Sequence, residues 1–266
     1  MAKQLQVPFT SKLPHPVYFR TASLPTAATY PRHRHPWGEF VYAFSGVMEL
    51  KLSGSHYLSP PQYGIWLPPD VEHRGMNRSE ASHCSLYISR ELCRTLPKTT
   101  CALAVNPLVK ALLEHLRSHR VTHPRTSHER RLFRVLIDQL ALAPPQGSYL
   151  PMSDDPLLGP VLTALEKDPA DGSSVALWAK KMHTTERTLE RRCQQHLGLS
   201  LSDWRQRLRV VKALAMLEAG RSVEAIAFDL GYSSASAFIA MFRRLTGTTP
   251  DKVRSEGFAS PGGTQT

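Results

Sequence analysis

Two segments near the C-terminal end of this 266-residue chain share a pattern that is typical of a helix-turn-helix motif. Each segment has two short amphipathic stretches joined by a tight turn. In the first segment the predicted helices cover Val175–Met182 and Thr185–Gln195, and in the second they cover Val223–Leu230 and Ser234–Arg244. The repeat restricts this part of the chain to an all-helical fold.

The same three offsets occur in both segments. A small alanine lets the two helices cross closely, and four residues later comes a turn position suited to a positive φ. Six residues after the turn, an apolar side chain is expected to close a small core. These positions are Ala179, His183 and Leu189 in the first segment, and Ala227, Gly231 and Ala237 in the second. Histidine tolerates a positive φ better than most residues. Agreement at matching offsets favours two related modules over chance.

Over roughly its last hundred residues the chain resembles the AraC family of bacterial transcription regulators. The residues that carry the resemblance are Ala225–Ser234, Phe238, Phe242–Arg244, Gly247–Pro250 and Arg254. The resemblance implies an all-α DNA-binding domain over residues 156–256, in which a long central helix separates two modules that dock in successive segments of the major groove. It also implies an activator or repressor of bacterial promoters, with double-stranded operator DNA as a partner and RNA polymerase as a further candidate.

The second helix of each motif is the one expected to meet DNA and is called its recognition helix. The outward face of the first recognition helix, Thr185–Gln195, carries side chains suited to DNA. Arg187, Glu190, Arg191 and Gln194 recur at helical spacing on that face. Long donors suit guanine O6 and N7 and phosphates, and a carboxylate can accept from cytosine N4. The alternative is a solvated charged face with no role in binding. The candidate DNA-binding residues of this helix are Thr185, which can cap it, Arg187, Thr188, Glu190, Arg191 and Gln194.

The second recognition helix presents a small and mostly apolar outer face. Such a face can contact thymine methyl groups or the DNA backbone, but it offers few bidentate hydrogen bonds. Its candidate DNA-binding residues are Ser234, Ala235, Ser236, Ile239, Ala240 and Arg243. We therefore expect the first helix to carry most of the direct base readout.

Composition sets outer limits on the protein. The length predicts two domains, and the net charge of +11 suits an anionic partner without locating it, since residues 1–155 carry +7 and residues 156–266 carry +4. The N-terminus lacks an apolar signal region, and no segment is long enough to span a bilayer. The four cysteines show no paired spacing and are expected to be reduced thiols. We expect a cytoplasmic protein, associated with the nucleoid when bound to DNA.

The N-terminal part, residues 1–105, is predicted to form a small antiparallel barrel. Short stretches rich in β-branched and aromatic residues alternate with turns at Ser45-Gly46, Ser53-Gly54 and Pro60-Pro61. The candidate strands are Glu39–Phe44, Val47–Leu52, Ser55–Leu58, Ile65–Leu67 and Ser82–Ile88.

Four polar residues in this part resemble the two motifs of a cupin, a double-stranded β-helix barrel: His33, His35, Glu39 and His73. In cupins the matching positions can hold a divalent metal, and imidazoles with a carboxylate suit Fe, Ni, Mn or Zn. Odd-numbered positions from 33 to 39 would share one strand face, although Pro36 and Gly38 weaken that argument. The alternative is a metal-free pocket in which these side chains line or orient a small-molecule effector. Candidate apolar walls are Trp37, Tyr42, Trp66 and Tyr87.

Two amphipathic stretches within residues 106–150 predict helices over Pro107–His119 and Ser127–Leu142. The pair resembles the family's dimerisation hairpin, which implies a homodimer, but two such helices could equally cap the barrel. Residues 143–148 and 152–155 are rich in Pro, Gly, Ser and Asp and predict a flexible linker between the domains.

Together these features predict a multidomain protein, with an all-β cupin-like barrel and two following helices, then an all-α domain with two helix-turn-helix motifs. The predicted function is sequence-specific regulation of transcription under the control of a small-molecule effector, without enzymatic activity. Two rivals stay open: a metal-dependent cupin enzyme with a DNA-targeting domain, and a non-sensing nucleoid protein that uses its barrel only to dimerise.

Overall fold

The computed structural model describes residues 4–9, 11–52, 55–60, 62–77 and 80–257. The chain divides into two compact units, with the boundary between Tyr149 and Leu150. The predicted turn at Ser53-Gly54 lies outside the described residues, as does Pro61. In the described part of the chain, no helix combines the length and apolar character needed to cross a bilayer.

The first unit is built on two antiparallel sheets. The larger sheet has the strand order β1-β7-β2-β5-β8-β9, and the smaller has the order β4-β3-β6. Apolar side chains of both sheets form one buried cluster between them, so the cupin-like barrel predicted from the sequence is confirmed. The strands are β1 (Val17–Leu24), β2 (Gly38–Ser45), β3 (Met48–Leu52), β4 (Ser55–Ser59), β5 (Tyr63–Leu67), β6 (His73–Met76), β7 (Ala81–Ile88), β8 (Cys101–Ala104) and β9 (Pro145–Gln146).

Side chains of the larger sheet alternate between two separate environments, as the pleat of a strand requires. On β2, Glu39 faces the barrel interior with Val41, whereas Phe40 and Tyr42 face a second apolar core. Trp66 also faces this second core. Tyr42 and Trp66, expected from the sequence as pocket walls, therefore lie on the opposite side of the sheet.

The second core lies between the larger sheet and two helices, α1 (Pro107–Ser118) and α2 (Ser127–Leu142). A buried stripe on each helix packs against the sheet and contributes Val109, Leu113, Leu116, Phe133, Leu136, Ile137 and Leu140. The predicted pair of helices is thus present and covers the outer face of the barrel. Leu108, Val135 and Leu142 on the same helices are exposed, so dimerisation through this pair stays a prediction.

The segment predicted to be a flexible linker is partly ordered. Pro145–Gln146 forms strand β9, which pairs with β8, and the following Tyr149 and Leu150 are buried. Asp155 is also fixed, because its carboxylate accepts hydrogen bonds from the backbone of the next helix. The polar and proline-rich composition hid these contacts, and the prediction of a flexible linker is wrong for Pro145, Gln146 and Asp155.

The second unit is helical throughout its described regular elements. Its helices are α3 (Leu158–Lys167), α4 (Val175–Lys181), α5 (Glu186–Leu197), α6 (Leu201–Glu218), α7 (Val223–Asp229), α8 (Ala235–Thr246) and α9 (Pro250–Gly257). Helices α4–α5 and α7–α8 are the two helix-turn-helix motifs, and α6 is the long helix between them. His183 and Gly231 have φ angles of 51° and 79°, so both predicted turn positions are confirmed.

One detail of the second motif differs from the prediction. Ala237 is exposed, and the neighbouring Phe238 is the buried residue that closes the small core. The reason is the length of the turn: the capping residue follows the positive-φ residue by three positions at Ser234 but by only two at Thr185. Phe238 is therefore the structural counterpart of Leu189.

Candidate functional site

Three histidines and one carboxylate converge at the inner wall of the barrel. The ligand nitrogens of His33, His35 and His73 all lie within 4.8 Å of one another. One oxygen of Glu39 lies 3.1 Å from Nε2 of His35 and 3.4 Å from Nε2 of His73. His35, Glu39 and His73 are buried, and His33 is half-buried. The structure thus brings together all four residues singled out from the cupin-like pattern.

A regular strand does not produce this convergence. His33 and His35 precede β2, and His33 is held by an isolated bridge to His73 at the start of β6. Glu39 lies within β2 itself. The argument that positions 33 to 39 share one strand face is therefore wrong for the histidines, although its outcome is correct. A bend at Pro36 and Trp37 separates them from β2.

Each histidine ring is oriented by a backbone carbonyl. Nδ1 of His33, His35 and His73 lies 2.9 Å from the carbonyl oxygen of Pro31, Trp37 and Val71, respectively. A carbonyl only accepts, so Nδ1 carries the proton in all three rings and Nε2 of a neutral ring is left as a lone pair. This arrangement is the one that metal-ligating histidines usually have, with the second nitrogen donating to an oxygen.

Electrostatics at the centre of the cluster favour positive charge. Burial alone would raise the pKa of Glu39, but hydrogen bonds from His35 and His73 outweigh it and hold that pKa well below its usual range. For His73, burial lowers the pKa, yet the hydrogen bond and charge of Glu39 raise it overall. The carboxylate therefore needs either a proton on the facing imidazoles or a cation between them. A divalent first-row metal fits this donor set.

The cluster lines part of a small cavity of about 30 Å³. Val41, Met48 and Leu50 provide apolar lining. Other polar groups come from β1 and β7, namely Arg20, His83, Ser85 and Tyr87. Of these, the sequence argument had suggested Tyr87 alone. The missing signal was the pairing of β1 with β7, because Val17–Leu24 had not been assigned as a strand.

The first recognition helix, α5, presents the predicted polar face. Arg187, Arg191 and Gln194 are exposed, and Glu190 is half-buried. Leu189, Cys193 and Leu197 form the buried stripe of the helix. Thr185 caps the helix by accepting from the backbone of Thr188 at 3.2 Å, and its hydroxyl donates to that of Thr188 at 3.0 Å. The polar side chains of Arg187, Arg191 and Gln194 therefore lie outside the small core that Leu189 closes.

The second recognition helix, α8, is less polar on its outer face. Ser236, Ala240 and Arg243 are exposed, whereas Ala235 and Ile239 are half-buried. Ser234 caps the helix by accepting from the backbone of Ala237 at 3.3 Å. Ser236 and Ala240 therefore lie on the outer face as expected from the sequence, whereas Ala235 and Ile239 are partly covered.

Arg192, which the sequence argument did not select, holds α5 in place. Its Nη1 donates to Asp155 at 2.8 Å, and Nε2 of His196, one turn further on, lies 3.4 Å from the same carboxylate oxygen. The other oxygen of Asp155 caps α3. Arg192 thus points away from the face that carries Arg191, and its role is to position the helix.

Both parts of the chain match known protein families. Residues 15–148 match the AraC-like ligand binding domain, and residues 178–256 match a helix-turn-helix domain. A curated relative, the HTH-type transcriptional regulator NimR of Escherichia coli K12, is 34% identical over 224 residues, which is 84% of this chain and 82% of NimR. The chain belongs to the AraC family. It is a DNA-binding transcriptional regulator with an N-terminal ligand-binding domain.

Other known proteins are similar to this chain over shorter stretches or at lower identity. The transcriptional activator RhaS of Escherichia fergusonii is 33% identical over 129 residues, or 47% of this chain and 46% of RhaS. The crystal structure of ToxT from Vibrio cholerae covers 91% of this chain and 99% of its own, with 12% identity and a TM-score of 0.39. The AraC-family resemblance inferred from the sequence is confirmed.

Proposed function

We propose that this AraC-family protein regulates promoters in response to a small molecule bound inside its barrel. The observation that carries the proposal is the cavity whose wall holds the converging groups of His33, Glu39 and His73. Ligand sites are typically concave and carry convergent polar groups that fix the orientation of the ligand, and this cavity combines such groups with apolar lining from Val41, Met48 and Leu50. In this proposal residues 1–105 sense the effector, residues 106–150 connect and dimerise, and residues 156–256 bind DNA.

For DNA recognition, we propose that α5 reads bases and α8 contributes mainly apolar and backbone contacts. The support is the exposure of Arg187, Arg191 and Gln194 on one face of α5. The proposed contact residues are those selected from the sequence: Thr185, Arg187, Thr188, Glu190, Arg191, Gln194, Ser234, Ala235, Ser236, Ile239, Ala240 and Arg243. The protein would act in the cytoplasm on nucleoid DNA as a homodimer, with RNA polymerase as a further partner.

We further propose that His33, His35, Glu39 and His73 hold one first-row divalent metal. The support is the set of Nε2 lone pairs that the Nδ1–carbonyl hydrogen bonds leave available around a carboxylate. A bound cation would neutralise Glu39 and supply a Lewis-acid site for an oxygen or nitrogen of the effector. The protein's own residues orient the three imidazoles and exclude water from the buried side of the cluster.

The metal proposal is tested by elemental analysis of the purified full chain. We expect close to one metal per chain in the wild type, with a sharp loss in His35→Ala and His73→Ala. His115→Ala, which removes an exposed histidine of α1, is the control and should keep the metal. If the wild type contains no metal and both barrel variants still alter the effector response, the four residues line a metal-free pocket for an organic effector. If neither variant changes metal content or regulation, the barrel is only a scaffold.

The regulatory proposal is tested by mapping the genomic sites that the protein occupies and by reporters built from them. We expect discrete sites beside genes whose expression changes when the protein is deleted. A His73→Ala variant should keep those sites but lose part of the response to growth conditions. Uniform occupancy of the genome, with unchanged expression, would favour a non-sensing nucleoid protein.

A second candidate function is a metal-dependent cupin enzyme that carries a DNA-targeting domain. The observation in its favour is the combination of three histidines and a buried carboxylate. We propose sensing over catalysis because a fold and a ligand set alone do not establish catalysis, and because the relatives carry the names of regulators. Recovery of a bound small molecule unchanged after incubation with metal-loaded protein would support sensing, and its conversion would support the enzyme.

A further inference from the structure

A second polar pair, Arg20 and His83, lines the same cavity as the histidine cluster. The two residues lie on paired strands, since β1 and β7 are antiparallel with Arg20 opposite Ser85 and Ala22 opposite His83. Residues two positions apart on a strand share a face, so both side chains belong to the inner face of the sheet. Sequence reasoning selected neither of them.

Arg20 is a half-buried cation without an acidic partner. Its Nη1 donates to the hydroxyl of Tyr30 at 3.1 Å, and among the described residues no carboxylate oxygen lies within ion-pair distance of its guanidinium. Arg32, on the outside of the same barrel, pairs with Glu72 at 3.1 Å. Because a guanidinium has five N–H donors, Arg20 keeps several of them for a molecule in the cavity.

His83 adds an independent sign of a missing ligand. Its side chain is buried, with 2% of the residue exposed, and its Nδ1 has no hydrogen-bond partner among the described residues. Buried polar atoms in native proteins nearly always have a partner. Burial, and then the charge of Arg20, lower the pKa of His83 to about 4, so the ring is neutral at neutral pH. The ring contacts the backbone of Ala22, and its Nδ1 is closed to solvent. A polar group of a bound molecule would satisfy this nitrogen once the ring turns toward the cavity.

We propose that the barrel binds a small organic acid, whose carboxylate is held by Arg20 while a second polar group reaches His83. The proposal deepens the proposed sensing function and rests on it. A planar guanidinium matches a carboxylate with two parallel hydrogen bonds, which makes arginine suited to this class of ligand. The cavity of about 30 Å³ is far below the usual range for ligand sites, so the barrel has to widen to admit the acid, and a compact acid is favoured.

The test is calorimetric titration of the purified full chain with acetate and benzoate, each compared with its uncharged amide. We expect at least one acid to bind, and its amide to bind at least tenfold more weakly. Arg20→Met should weaken acid binding at least tenfold. Arg20→Lys keeps the charge but not the planar fork, and its affinity for the acid should lie between those of the wild type and Arg20→Met. Arg32→Met removes an outer arginine and should leave binding unchanged, and thermal unfolding checks that every variant folds.

Three results would overturn the inference. They are equal binding of benzamide and benzoate, acid binding that survives in folded Arg20→Met, and no binding of either acid at millimolar concentration. In the second case, loss of acid binding in His73→Ala would place the anion on the metal. These results leave genomic occupancy and promoter response untouched, so failure of this inference can be separated from failure of the proposed function.

Discussion

Gly231 and His183 occupy equivalent turn positions with positive φ, but their surroundings differ. A Cβ placed on Gly231 would lie 2.6 Å from the carbonyl oxygen of Ala170. We expect Gly231→Ala to lower the free energy of unfolding by about 2 kcal/mol or more, because strain and a backbone clash add. His183→Gly relieves strain but gives the unfolded chain more freedom, so it should change stability by about 1 kcal/mol or less. Urea unfolding of the full chain measures both, and equal losses would contradict this account.

Arg191 is the residue on which the orientation of α5 can be tested. It is exposed in the middle of the face proposed to read bases. Arg191→Ala should cost about 1–3 kcal/mol of binding to a specific site and relax base preference there. A gel-shift titration against specific and scrambled DNA measures this. Arg117→Ala, which removes an arginine that pairs with Glu114 at 2.7 Å on α1, is the control for lost charge. Unchanged specific affinity in Arg191→Ala would mean that another face of α5 meets DNA.

At the residue scale, sequence patterns located the barrel histidines but not their neighbours in space. His33, His35, Glu39 and His73 could be grouped because the cupin-like spacing is local in each half of the pattern. Arg20 and His83 could not, since their meeting depends on the register between β1 and β7. Register is set by long-range packing, and a single strand sequence does not contain it.

At the scale of elements, Asp155 links α3 to the first recognition helix. Its side chain is 4% exposed, caps α3 and pairs with Arg192. Burial alone would raise its pKa, but the backbone hydrogen bonds and then Arg192 outweigh burial and lower it. A lowered folded pKa means that stability is present above the unfolded value and is lost as pH falls through the folded value.

We therefore expect Asp155→Asn to be less stable than the wild type at neutral pH by about 1–2 kcal/mol. The difference should shrink as the pH falls below about 4, the usual value for an unfolded aspartate. Denaturant unfolding at several pH values measures the two curves. Asp154→Asn, which alters the exposed neighbouring residue, is the matched control. Parallel curves for wild type and Asp155→Asn would show that the carboxylate does not stabilise α5 through its charge.

Helices were easier to predict than strands and connections, for a physical reason. Amphipathic periodicity gave α1 and α2 closely, because a helix makes its hydrogen bonds locally. Strand β9 was missed because Pro145–Gln146 has the composition of a linker and becomes a strand only through β8. The extra residue in the second turn displaced one core position, from Ala237 to Phe238. Such a shift follows from the capping geometry of Ser234, which the offsets alone did not specify.

For the molecule as a whole, two helix-turn-helix motifs in one compact unit predict an extended DNA site. The long helix α6 connects them within that unit. We expect each protomer to protect two elements about one helical turn, ~10 bp, apart on one face of the duplex. Hydroxyl-radical footprinting on a site recovered from the genome measures this, with protein that lacks a folded second motif as comparison. One short protected element per protomer would mean that α8 has only a structural role.

The larger sheet of the barrel is a single layer with two occupied sides. On β7, His83, Ser85 and Tyr87 border the cavity, while Cys84, Leu86 and Ile88 lie in the core shared with α1 and α2. Neighbouring residues of one strand share one backbone. A molecule that shifts the strand on the cavity side therefore also shifts the surface on which α1 and α2 pack. A displacement caused by a molecule in the barrel therefore has to pass through only one peptide unit to reach the layer formed by α1 and α2.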